Sequence, residues 1–151
     1  MEEIGILLLR ILKIIRTFAK EIKDNSMAQK ITPTNITELK PNEVFVFGSN
    51  MKGMHIGGAA RSAYENFGAE WGNPIGLQGQ SYAIPTMFKD VEDIRPYVES
   101  FIKFAEEHSE LFFYVTPIGC GIAGFEPSEI APLFKHCIGM QNVALPQEFL
   151  Q

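Results

Sequence analysis

Little in this sequence points toward metal, disulfide or membrane chemistry. Only two cysteines occur, Cys120 and Cys137. They form no CxxC pair and match no zinc spacing, so a reduced, cytoplasmic setting is the expectation. His55, His108 and His136 are scattered and build no ligand cluster; neither a metal nor another cofactor is expected. Positive charge is also in short supply. With 13 Lys+Arg against 18 Asp+Glu the net charge is -5, which excludes a broad electrostatic footprint for duplex nucleic acid. An anionic small ligand stays compatible, because backbone amides hold phosphate with few basic side chains nearby. Within the first 26 residues the longest uncharged run is Ile4 to Leu9, far too short to span a bilayer. Glu2 and Glu3 are wrong for a secretory leader. A membrane partner is therefore not expected.

What remains is an ordinary globular composition, 46% hydrophobic and 21% charged over 151 residues, enough for one domain with a proper core. The first 26 residues stand apart. Ile4, Leu8, Ile11, Ile15, Phe18 and Ile22 alternate steps of four and three, a helical apolar stripe. Three readings stand side by side for this helix: oligomerisation through residues 4–22, contact with a membrane surface, or read-through before a start at Met27. Residues 27–151 read as a self-sufficient domain, still acidic at 8 basic against 14 acidic residues.

Two glycine-punctuated loops carry the chemistry. The first follows an apolar run: Phe45-Val-Phe-Gly-Ser-Asn-Met-Lys-Gly-Met-His-Ile-Gly-Gly-Ala-Ala60. The second is Tyr114-Val-Thr-Pro-Ile-Gly-Cys-Gly-Ile-Ala-Gly-Phe125. Glycine lets another molecule approach the backbone, and the amides of a helix's first turn are unpaired and face outward. Two such loops at one sheet edge would cradle a diphosphate.

The remaining pattern alternates strands and helices. Ile31 to Pro41 reads as an edge strand and a turn, and Glu43 to Phe47 as a strand covered on both faces. A helix is expected from Gly57 or Gly58 to Phe67, with Gly68 as its cap. Ala69 to Gln80, with four breakers, reads as a surface loop. Strands at Ser81–Thr86, Leu111–Pro117 and Asn142–Leu145 flank helices at about Asp93–His108 and Pro127–Cys137. This order predicts an α/β domain with a mainly parallel sheet and helices on both faces. Ligands bind such sheets beyond the carboxyl ends of the strands, where both loops lie.

Asn50 after the first strand, Gly57-Gly58-Ala59-Ala60 at a helix start, and Gly119-Cys-Gly-Ile-Ala-Gly-Phe125 after a later strand resemble the macro domain, an ADP-ribose-binding fold. Phe47-Gly48-Ser49-Asn50 and Tyr82-Ala-Ile-Pro-Thr86 resemble the compact macro-like proteins of bacterial and phage genomes. The resemblance spans about Ile31 to Pro146. It implies a three-layer α/β/α sandwich with the N-terminal helix as an addition. It also implies ligand contacts from Gly48, Ser49, Asn50 and Thr86. Asn50 would contact the distal ribose, and Gly57, Gly58 and Ala59 would underlie the diphosphate. Gly119, Cys120, Gly121, Ile122, Ala123, Gly124 and Phe125 would close over it, with Phe125 as a stacking platform. Asn35 stands where many macro domains carry an aspartate that binds the adenine amino group.

Two catalytic candidates follow, Asn50 and His55. Asn50 would orient the ribose. His55, titrating near neutrality, would act as acid, base or phosphate donor; the competing reading is a histidine that holds the loop through a backbone bond. Cys120 invites a nucleophile reading, but no histidine is close to it in sequence. The expected function is binding of ADP-ribose or a related nucleotide diphosphate, free or on a macromolecule, with ADP-ribosyl hydrolysis as an added activity. The alternative is an interaction module with structural glycine loops that assembles through its N-terminal helix.

Overall fold

The computed structural model describes residues 2–151, excepting the side chains of residue 2 and residues 24–27. Helix α1 (Glu2–Met27) precedes a mixed α/β unit: β1 (Glu43–Ser49), α2 (Gly58–Asn66), β2 (Gly76–Gln78), β3 (Ser81–Pro85), α3 (Arg95–Glu107), β4 (Phe112–Val115), α4 (Pro127–Ile130) and β5 (Val143–Ala144). The five strands form one sheet in the order β2-β3-β1-β4-β5. Only the β2–β3 pair is antiparallel; the other three pairs are parallel. Ile31 extends the β5 edge by a single parallel bridge to Leu145, so the expected first strand shrinks to one residue.

Alternation along β1 explains its unbroken apolar run. Val44 and Val46 join a cluster with Ile84, Phe113 and Val115, onto which α3 sets Val98, Phe101, Ile102 and Ala105. Phe45 and Phe47 join another with Ala83 and with Ala63 and Phe67 around α2. A strand buried on both sides cannot afford polar positions, which is why it reads as continuous hydrophobicity. Each of the buried valine, isoleucine and phenylalanine side chains contributes roughly 1.5–3 kcal/mol, and each alanine less.

Two expectations shift in detail. The loop from Ala69 to Gln80 contains β2, which pairs back onto β3. Its hydrogen bonds come from tertiary pairing, a source local breakers conceal. The helix expected over Pro127–Cys137 is α only to Ile130 and then a 3-10 segment, Ala131–Cys137. Pro132 lacks the amide that an α-helix needs and crowds the residue before it.

The parallel register matters most for the site. Ser49 pairs with Pro85 and Val46 with Val115, so β1, β3 and β4 all end at one edge. The loops beginning at Asn50, Thr86 and Thr116 leave from that edge together. Helix α1 exposes its stripe of Ile4, Leu8, Ile11, Ile15, Phe18 and Ile22. No described helix is long and apolar enough to cross a membrane.

Candidate functional site

The loop after β1 is organised by Asn50. Its Oδ1 accepts hydrogen bonds from the amides of Lys52 and Met54, each at 3.1 Å, and its Nδ2 donates to Met54 O at 2.8 Å. Gly53 then locks the loop to the segment below. Its φ is +65, and a Cβ there would stand 2.4 Å from Asn73 N, so only glycine fits. His55 is 1% exposed; its Nε2 donates to Glu70 O at 2.8 Å, and Phe47 meets its ring edge-on at 5.2 Å.

Helix α2 begins without a capping side chain, at Gly57 in extended geometry (φ -147, ψ 169). The first helical bond runs from Arg61 N to Gly57 O. The amides of Gly58, Ala59 and Ala60 therefore have no acceptor among the described residues, as expected of the opening turn of a helix. Those amides carry the positive end of the helix dipole.

The loop after β4 is closed by its own backbone. Phe125 N donates to Gly119 O at 2.9 Å and Gly124 N to Gly121 O at 3.0 Å. Gly119 has φ +74, and a Cβ there would press against Ile130 at 2.9 Å. The amides of Gly121, Ile122 and Ala123 are left without an acceptor among the described residues. Ile122 is 79% exposed, and its Cδ1 would lie 3.6 Å from a Cβ at Gly57. The two loops thus face each other across a narrow gap.

Between them lies a hollow of about 470 Å³. Of the residues expected there, Gly48, Ser49, Asn50, Gly57, Gly58, Ala59, Thr86, Gly119, Gly121, Ile122 and Ala123 line it. Its wall holds no acid, base or thiol. A side cavity of about 320 Å³ adjoins it through Ala59, Thr116 and Pro117, and Asn35 lies in its wall. Sequence reasoning did not place Thr32, Ser62, Gln147 and Glu148 in that second cavity. Ser62 comes from α2, and Thr32 and the Gln147–Glu148 pair come from segments far apart in the chain, joined by the Ile31–Leu145 bridge, which no local signal announces.

Four expected residues line neither space. His55 sits behind its loop, with Nε2 on Glu70 O, and borders neither space. Phe125, half-buried, packs against the large core cluster. Gly124 serves the loop's closing turn. Cys120 also packs on that cluster, and burial, helped by the carboxylates of Glu126, Glu148 and Glu129, pushes its thiol up to about 11. A thiol held protonated is a poor nucleophile. Ser49 turns its hydroxyl to Pro74 O at 2.5 Å, and Arg61 pairs with Glu65 at 2.8 Å on the exposed side of α2. Among the described residues no group of histidines, cysteines and carboxylates could hold a metal ion. Comparison of the chain with family models, curated proteins and solved structures returns no match.

Proposed function

We propose that residues 27–151 form a macro-like, three-layer α/β/α domain that binds ADP-ribose or a related nucleotide diphosphate. One observation carries this reading: unpaired amides of Gly58–Ala60 and of Gly121–Ala123 border the same hollow, from opposite sides. Hydrogen bonds to a charged group contribute about 1.5–3 kcal/mol each. Four or five of them supply about 6–15 kcal/mol, the order of the roughly 8 kcal/mol of a micromolar complex, so apolar contact with the rest of the ligand has to offset the entropy of association. The side cavity adjoins the hollow and, on this reading, would take the nucleoside. Asn50 keeps one Nδ2 hydrogen for the ligand after its loop bonds are made.

The lining supports binding over efficient turnover. General acid–base catalysis needs a titrating group within hydrogen-bond reach, and none borders the hollow. Hydrolysis of an ADP-ribosyl bond would rest on ribose positioning by Asn50 and on a phosphate of the substrate itself. Calorimetric titration with ADP-ribose tests the reading. Saturable heat with a matching thermal shift is expected, and the absence of both refutes it. Incubation with ADP-ribosylated protein then separates a binder, which releases nothing, from a hydrolase.

The exposed stripe of α1 favours a second reading, assembly through residues 4–22. Light scattering on the full chain and on one starting at Met27 decides it; equal monomeric masses remove the assembly role.

A further inference from the structure

The side cavity holds polar groups that the fold itself does not use. Thr32 lines it, is 5% exposed, and has no hydrogen-bond partner for its Oγ1 among the described residues. A buried hydroxyl left unpaired is uncommon and asks for a partner from outside the protein. Its backbone is held firmly, for Thr32 N donates to Leu145 O at 2.8 Å beside the Ile31–Leu145 bridge. Past Leu145 the chain turns at Pro146 into a 3-10 segment, Gln147–Phe149. Phe149 is buried and stacks on Phe134 with centroids 5.5 Å apart. This anchor sets Glu148 in the cavity wall as an exposed carboxylate with no hydrogen bond or ion pair to another described residue. Ile36, Phe45, Pro117 and Pro146 supply apolar lining. Apolar sides, an inner hydroxyl and an acceptor-only carboxylate suit a flat heterocycle bearing an exocyclic amino group.

Resting on the ligand reading above, we propose that Glu148 and Thr32 are the specificity-determining residues for the nucleobase. Glu148 accepts hydrogen bonds from the exocyclic amino group, and the Thr32 hydroxyl pairs with the inner edge of the ring. A carboxylate cannot donate, so a base with a carbonyl oxygen in place of the amino group sets acceptor against acceptor. The Asn35 amide in the same wall donates and accepts alike and discriminates less.

The test titrates ADP-ribose and its hypoxanthine counterpart, in which oxygen replaces the amino group, into the full chain and into Glu148→Gln and Thr32→Val. The parent favours ADP-ribose by roughly tenfold or more. Glu148→Gln, whose amide donates to the carbonyl, shrinks that preference to about threefold or less, with the melting temperature unchanged. Thr32→Val weakens both ligands together. Equal affinities in the parent, or a preference that survives Glu148→Gln, overturn the Glu148 assignment and leave the ligand reading standing. Thr32→Val binding both ligands as the parent does overturns the Thr32 assignment. No heat from either ligand on the parent overturns the ligand reading itself.

Discussion

Gly57 separates a glycine kept for the fold from one kept for a ligand. Its backbone is extended at φ -147 and ψ 169, open to any residue. A Cβ there would meet only Ile122 Cδ1, at an ordinary 3.6 Å. Replacing it with alanine gains about 0.4–1 kcal/mol by restricting the unfolded chain. Against that, alanine is a poorer residue than glycine before a helix, at a cost of several tenths of a kcal/mol. The two nearly cancel, so Gly57→Ala keeps a melting temperature within about 3 °C of the parent. The added methyl group nevertheless occupies the gap between the two loops, where on the proposed reading the phosphates would lie against the first amides of α2. Displacing them by a few tenths of an ångström lengthens several charge-assisted bonds at once, and a loss of about 1.4 kcal/mol is already tenfold in affinity. Parallel melting and calorimetry on Gly57→Ala therefore return an unchanged fold and ADP-ribose binding weakened at least tenfold. Parent-like affinity with parent-like melting refutes the claim that a ligand crosses this position.

Gly53→Ala makes the contrasting case: with φ +65 and Asn73 N 2.4 Å from the new Cβ, it destabilises by about 3 kcal/mol or more in urea unfolding, and parent-like stability refutes the locking role. Cys120, pushed up to about 11 against an ordinary 9.0, carries roughly a hundredfold less thiolate at pH 8 than a free cysteine. Alkylation followed by mass spectrometry checks this, and modification at the rate of a free thiol refutes it. Tyr114→Phe removes a 2.6 Å bond to Glu43 and costs about 1 kcal/mol near neutral pH. Burial works to raise the Glu43 carboxyl, but the bonds from Tyr114 and the Lys40 amide, with the Lys40 charge, hold it below its ordinary 4.5. A depressed carboxyl stabilises the fold above its ordinary value and loses that contribution as the pH falls. The gap between parent and Tyr114→Phe in urea therefore narrows from pH 7 to pH 3, and a constant gap refutes the coupling.

How far the sequence disclosed this molecule depends on the range over which each feature is determined. Strands β1, β3 and β4 were legible because a strand buried on both faces writes itself as a run such as Val44-Phe-Val-Phe47. Helix α2 was legible from the glycines bracketing it. Strand β2 was hidden, since Gly76-Leu-Gln78 has no strand signal of its own and is held by its partner. The hollow follows from the same logic: glycine loops after parallel strands must emerge at one edge, so convergence of Asn50–Ala59 with Gly119–Ala123 needed only the strand order. Side-chain direction did not. His55 lies within the first loop yet points back under it, because the space beneath is closed by Phe47, Tyr64 and Trp71. Phe125 and Cys120, half-buried, lean on the core cluster, while Ile122 of the same loop stays 79% exposed, a division that loop sequence alone does not announce. The wall of the side cavity was illegible altogether, since Thr32 and Glu148 lie 116 residues apart in sequence and one parallel bridge brings their segments together. In a glycine loop, then, the backbone groups offered to a ligand follow from sequence order, whereas the side chains that would discriminate between ligands are chosen by contacts across the fold.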